Sequence, residues 1–303
     1  MNHVHVTMTG AGLALLLAQA NALAQTSLVA EKTATAKTDV VAEGSQKALG
    51  PEVFAASEES VLKIAAGSSV MAGNANSVNF TAAGNLRLRR QLNQLTLDLA
   101  ANWGMAAVPN DAGVSVWDDV QQNVENYQGR LRYDRFLTER WALFSMLQGR
   151  RDRFQGYDLR LNFDPGLAYY IIQQEAQHLR LEAGYDLQYD VRTALAVTDN
   201  NVGLTPADPG YLYPEIVRHG MRFDAAYDVR LNQNLSFATE LEFLMPFDFD
   251  PFPYRLNWTN GLTANLSTRF AFVTAFTLRY DNAPIGRQNT DILASLNLSY
   301  TLL

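Results

Sequence analysis

The stretch Leu179-Arg180-Leu181-Glu182-Ala183-Gly184-Tyr185-Asp186-Leu187-Gln188-Tyr189-Asp190-Val191 alternates strictly. Its odd positions are aliphatic or tyrosine. Its even positions are charged, amide or glycine. Side chains on a strand point to opposite faces of the sheet in turn, so this segment predicts one oily face and one polar face. A helix would scatter both sets round its surface. Where the pattern is long and recurs, it fits a sheet with lipid outside and a polar interior.

The pattern recurs from residue 60 onward. Segments near 62–72 and 78–89 come first. A third sets Leu95, Leu97, Leu99, Ala101, Trp103 and Met105 on one face, and a fourth sets Tyr127, Leu131 and Tyr133 against Arg130, Arg132 and Asp134. The fifth, 141–150, is apolar on both faces, so its facing stays open. A sixth covers 159–171, and 179–191 is the seventh. The eighth opposes Val217, His219, Met221 and Phe223 to Arg218, Arg222, Asp224 and Asp228. Segments from Leu235, Tyr254, Phe270 and Asp291 complete twelve. Short junctions (near 90–94, 136–140, 173–177, 231–234 and 267–269) alternate with longer ones (near 106–122, 151–157, 192–213, 247–253 and 282–289). Short periplasmic turns alternating with long outside loops mark outer-membrane barrels. The expected fold is all-β: a closed, antiparallel, up-and-down transmembrane barrel of twelve strands, roughly 10 residues each. Pro165 falls inside the sixth segment, where it cannot donate a ladder bond, which predicts a bulge or a break. Tyr133, Trp141, Tyr169, Tyr185, Tyr189, Trp258, Phe270, Phe272 and Tyr300 are candidates for interfacial aromatic girdles.

Composition narrows the class. The 303 residues are 48% hydrophobic and carry a net charge of −7, which argues against nucleic acid as a partner. The mean hydropathy of −0.13 is no bar to a membrane location, because alternation hides the lipid face. The absence of cysteine excludes disulfides and thiolate metal sites. Residues 1–24 read as a cleavable export signal, with an apolar run from Gly10 and Ala22-Leu23-Ala24 before Gln25, although the leading segment has no Lys or Arg. Residues 25–59 read as a flexible periplasmic segment, and 60–303 as the barrel. All four lysines lie at or before Lys63; beyond it every Lys/Arg position is arginine.

Several features are shared with a known family: Gly73-Asn74-Ala75-Asn76-Ser77; Tyr133, Phe136, Leu137, Glu139 and Arg140; Asp152-Arg153-Phe154 with Asp158 and Arg160; Tyr254-Arg255-Leu256; and Arg279-Tyr280-Asp281 with Pro284. In these the chain resembles the salt-induced outer-membrane β-barrel proteins, a bacterial domain family of unknown function, over about residues 60–303. The resemblance implies an outer-membrane location and insertion by the barrel-assembly machinery, and supplies no catalytic residues. The chain departs from outer-membrane habit in ending on Leu303 rather than an aromatic residue, at Pro165, and in the long segment Thr193 to Pro214.

No residues assemble into a recognisable catalytic set, so no enzyme activity and no cofactor are expected. His178 sits at a turn edge and His219 on the oily face, without the serine that a hydrolase would need. Asp248, Asp250 and Asp199-Asn200-Asn201 read as exposed loop groups rather than a calcium site. The inward face carries the chemistry. Arg130, Arg132, Arg160, Arg180, Arg222, Arg255 and Arg279 should point inward with Glu182, Asp186, Asp224, Asp228, Glu240 and Glu242. Such ions must pair or meet water. They either fill the barrel as a structural network or line a narrow pore for ions or small solutes. The expected particle is a monomer in outer-membrane lipid.

Overall fold

The structure, a computed structural model, describes residues 58–71, 77–109, 115–174, 176–208, 210–247, 253–283 and 289–302. The leader read at 1–24 and nearly all of the segment at 25–59 lie outside these, as do Gly73 to Asn76, Asp248, Asp250 and Pro284. The strands are β1 (Glu59–Met71), β2 (Ser77–Arg90), β3 (Asn93–Pro109), β4 (Ser115–Phe136), β5 (Trp141–Asp152) and β6 (Tyr157–Gln174). They continue as β7 (Gln177–Arg192), β8 (Glu215–Arg230), β9 (Leu235–Pro246), β10 (Arg255–Asn265), β11 (Phe270–Asp281) and β12 (Thr290–Thr301). All twelve form one closed barrel in which each strand pairs antiparallel with its sequence neighbours. β1 closes onto β12 through Lys63–Thr301, Ile64–Tyr300, Ala65–Ser299 and Ala66–Leu298. The Leu302 N–H donates to the Leu62 carbonyl at 2.9 Å and extends the seam.

The alternation read in 179–191 is realised residue by residue. Arg180, Glu182, Asp186, Gln188 and Asp190 are buried inside, while Leu181, Tyr185 and Ala183 are exposed outside. Outside, Leu147, Phe163, Leu167, Leu241 and Leu298 are each more than 40% exposed. In water such a belt would be an open invitation to aggregate; in hydrocarbon it is the matched surface. Tyr133, Trp141, Tyr169, Phe270 and Tyr300 gather near the end that carries the short turns, with Trp141 on Tyr169 (4.6 Å between centroids) and Phe270 on Tyr300 (4.8 Å). Tyr185 and Tyr189 lie toward the opposite, loop end. Phe272, the third residue of β11, lies at the short-turn end with Phe270, and Trp258 lies three residues in from the start of β10.

Three expectations are corrected. The strands run 11–22 residues rather than ten. The connector placed at 106–122 is much shorter, because β3 continues to Pro109 and β4 begins at Ser115. The bulge or break expected at Pro165 is reduced to a lapse of the β6–β7 ladder at Asp164 and Pro165, with no bulge and no break in the strand. β6 passes through the proline, Pro165 stays in register with Ser145, and pairing with β7 resumes from Phe163–Leu187 to Gly166–Gly184 without a shift. Two facing glycines allow this close approach: a Cβ on Gly166 would meet the Ala183 carbonyl oxygen at 2.5 Å and Gly184 Cα at 2.8 Å. The irregularity in this ladder near the turn end lies instead between Tyr170 and Ile172.

The long segment 193–214 is a folded loop. Thr193 caps α1 (Ala194–Asn200) by accepting from the Ala196 N–H. The Asn201 side chain bonds both the N–H and the carbonyl of Leu212. Thr205 donates its N–H and its hydroxyl to Asp208, both at 2.7 Å, which holds that carboxyl below the usual aspartate range.

Two substitutions test this geometry. Leu147→Arg should lower unfolding free energy in lipid vesicles by about 2–4 kcal/mol, as a cation forced into hydrocarbon does; a loss near zero would mean that the belt faces water. Gly166→Ala should lower it by about 1–3 kcal/mol through overpacking. Gly84→Ala, where the nearest atom to a new Cβ is 4.0 Å away, should stay within about 0.5 kcal/mol.

Candidate functional site

The inward face of β7 supplies the centre of the lumen. Glu182 is fully buried and its carboxylate gathers three guanidiniums. Arg132, from β4, crosses the lumen and donates to it twice, at 2.6 and 3.0 Å. Arg180 Nε lies 2.8 Å from Oε1, and Arg222 Nη1 donates to Oε2 at 2.8 Å. Each arginine is in turn held elsewhere. Arg132 also donates to Asp134 at 2.7–3.0 Å and stacks over Phe144, 4.5 Å from its centroid. Arg222 Nε donates to Glu242 at 2.6 Å, with Asp224 at 3.6 Å and Glu240 at 3.9 Å from Nη2. Arg180 reaches Asp224 at 3.5 Å. Asn257 donates to the second Glu242 oxygen at 2.7 Å. Charge-assisted, two-pronged bonds of this kind are the strong ones, and they repay part of the desolvation of the ions that make them.

Above this waist, toward the loop end, Arg160 binds Asp190 in two-pronged fashion at 2.7 and 2.9 Å and lies 4.0 Å over the Tyr157 ring. Gln188 donates to the same Asp190, and Arg255, from β10, reaches across to the Gln188 side-chain oxygen. Asn162 donates to Asp186 at 2.6 Å. On the β3–β4 wall Arg130 donates to Asp98 at 3.0 Å, which Asn85 also meets at 2.6 Å.

Below the waist the interior changes character. Phe136, Ala142, Phe144, Met146, Ala168 and Tyr170 form a buried apolar cluster inside the barrel, with Arg89 stacked 4.2 Å over Phe136. Beside it, at the turn end, opens a vestibule of about 430 Å³ lined by Lys63, His178, Asp228, Arg230, Ser236 and Asn265 among others.

All thirteen charged residues singled out from the sequence therefore sit on inward positions, but not in one group. Arg132, Arg180, Glu182, Arg222, Asp224, Glu240 and Glu242 converge at the waist. Arg160, Asp186 and Arg255 belong to the loop-end tier. Arg130 stands apart with Asp98, Asp228 lines the vestibule, and Arg279 lies on β11 in register with Asn257. Asp98, Asp134, Asp190, Gln188, Asn257 and Arg192 also belong to the network and were not singled out, nor were the buried Asp152, held by Arg150, and Asp164, held by Gln148. Parity along each strand places Asp134 and Asp190 on the charged face, and it sets Asp98 opposite the oily row Leu95 to Met105, though its neighbours Thr96, Ala100 and Asn102 carry no charge to mark that face. His219 faces outward, where its Nδ1 meets the Tyr185 hydroxyl. Among the described residues no group of three or more His, Asp or Glu could hold a metal ion.

The sequence matches the family described as "Protein of unknown function, DUF481" over residues 64–302. No curated protein sequence matches it. Similar solved structures include the translocator domain of the autotransporter NalP from Neisseria meningitidis (9% identity, 81% of this chain and 88% of that one, TM-score 0.42). Others are the NanC porin (10%, 80% and 97%, TM-score 0.42) and an outer membrane channel from Pseudomonas putida F1 (12%, 80% and 94%, TM-score 0.41).

Removing the hub should be far more damaging than removing a rim pair. Glu182→Ala takes the shared partner from three buried guanidiniums and should lower unfolding free energy in vesicles by about 3–5 kcal/mol. Glu125→Ala, which loses one ion pair with the exposed Arg153, should lower it by at most about 1 kcal/mol. Equal losses would mean that Glu182 carries no special share.

Proposed function

The chain belongs to the DUF481 family, and from that premise we propose that it is a bacterial outer-membrane barrel whose lumen is a narrow conduit for ions or small polar solutes. A closed sheet with an apolar outer belt supports the membrane location, because a bilayer tolerates strands only when every peptide group is paired within the sheet. By the usual asymmetry of such barrels the short-turn end, where β1 begins and β12 ends, faces the periplasm. The barrel closes on itself and needs no second copy to cover an edge, which supports a monomer. Insertion would fall to the barrel-assembly machinery, as for other proteins of this architecture.

The observation that carries the conduit reading is the chemistry of the interior. Well-packed apolar side chains would fill a barrel at least as stably as buried ion pairs. This chain instead keeps three arginines and five carboxylates at the waist, namely Arg132, Arg180 and Arg222 with Asp134, Glu182, Asp224, Glu240 and Glu242. Rings of paired charge at a constriction are how pores select what passes. Sealing of the same residues favours the second reading, a non-conducting envelope protein acting through its loops or periplasmic segment: the Glu182 carboxylate is shut from solvent, and so almost entirely is Arg222.

Planar-bilayer recording separates the two. The conduit predicts small, stable channels in the wild type, with Glu182→Gln raising conductance and shifting preference toward anions, because three guanidiniums lose their shared counter-charge. Well-folded protein that stays silent in both forms would sink the conduit and leave the envelope role.

A further inference from the structure

Toward the loop end of the lumen several guanidiniums gather round one buried carboxylate, Asp190. Arg160, Arg218 and Arg255 all act electrostatically on the buried Asp190, and Arg192 lies within reach of Arg160, Arg218 and the same aspartate. Asp190 is already committed. Arg160 occupies both of its oxygens and Gln188 shares one of them. The other facing carboxylates are Asp186, which takes Asn162, and Asp281, whose Oδ1 accepts from the Ala283 N–H. The Tyr157 ring lies under Arg160.

Two of these cations have no carboxylate within ion-pairing distance among the described residues. Arg192, buried at the last position of β7, donates Nη1 to the Tyr213 carbonyl at 2.7 Å; its Nε is buried without an acceptor. Arg255, at the first position of β10, spends Nη2 on the neutral Gln188. A partly desolvated cation with no carboxylate in ion-pairing distance is expensive, and the Arg160 guanidinium lies near both of these. The Tyr213 carbonyl, on the loop that follows β7, holds the Arg192 guanidinium in place.

We propose that the loop end of the lumen is an oxyanion-binding site, in which Arg192, Arg218 and Arg255 take the carboxylate or phosphate group of a small anionic solute above the Arg160–Asp190 pair. The planar guanidinium fork matches both groups in two-pronged fashion. An anion is favoured over a cation there, since Asp190 is enclosed by Arg160 and Gln188 and the partly exposed Asp281 stands directly opposite Arg255. The site goes beyond the conduit reading and does not need the waist to conduct.

The test is calorimetric titration of the full-length barrel, folded in detergent at low ionic strength, with inorganic phosphate and separately with malonate. Saturable binding of either probe, weakened by added chloride, supports the site; the tighter probe identifies the group it prefers. Arg192→Gln and Arg255→Gln should each weaken binding about tenfold or more, whereas Arg135→Gln, at the exposed turn end, should leave it unchanged. No saturable heat with either probe, or unaltered affinity in both variants, overturns the proposal. Should the variants not fold, phosphate should protect Arg192 and Arg255 of the wild-type protein from phenylglyoxal; equal labelling with and without phosphate would overturn it as well. Binding is read here without a current, so a silent barrel that binds phosphate sinks the conduit and keeps the site.

Discussion

Every other feature of this molecule follows from the need to leave no peptide group unpaired in hydrocarbon. An open sheet of eleven ladders would present two bare edges to lipid; the pairing of β1 with β12 removes both. Closure in turn makes parity absolute. Once one strand has its oily face outward, hydrogen-bonded register carries that choice round the ring, and Glu182 opposite Asp224 opposite Glu242 opposite Asn257 must all face inward. The charges are not brought inside by their own attraction. They are put there by the sheet and must then find partners.

How they do so differs along the axis. At the turn end aromatic and aliphatic side chains fill the space, relieved by Arg89 lying flat on Phe136. At the waist carboxylates outnumber guanidiniums, and a single buried carboxylate is shared three ways. Toward the loops Arg160, Arg218 and Arg255 gather round the enclosed Asp190. The two regions share one rib, since the same inward row of β7 supplies Glu182 to the first and Gln188, Asp190 and Arg192 to the second.

Fold and facing were legible in the sequence because a two-residue period leaves little room for doubt once one face is apolar, as in Tyr127-Gln128-Gly129-Arg130-Leu131-Arg132. Legibility failed where that contrast vanished. Residues 141–150 are apolar on both faces, so nothing marked Ala142, Phe144 and Met146 as interior, and the buried cluster they form was invisible. Pro165 was misjudged for another reason. A missing donor was plain in the sequence, but the glycine that lets the neighbouring backbone close up, Gly184, lies nineteen residues away, and only the register sets it opposite Gly166. Partner choice was the least legible of all. Arg132 and Glu182 are fifty residues apart on strands that do not touch, and they meet across the lumen only because both side chains are long.

Gly184 joins these threads. On the inward face of β7 it interrupts a row of charges, and beside Glu182 and Asp186 it looks like a gap. Register sets it opposite Arg222 on one side and Gly166 on the other, and the Phe144 ring covers both glycines from within, 3.3 Å from where a Cβ on Gly184 would stand. With no side chain rising between them, the Arg222 guanidinium can run along the wall to the diagonal Glu182 rather than straight into the lumen, while Arg132 comes in over Phe144 from the opposite direction. A Cβ there would meet the Pro165 carbonyl at 2.7 Å and would crowd the wall along which Arg222 lies. The bare position thus serves both purposes at once: it lets β6 carry a proline without breaking, and it opens the floor on which three arginines converge on one carboxylate.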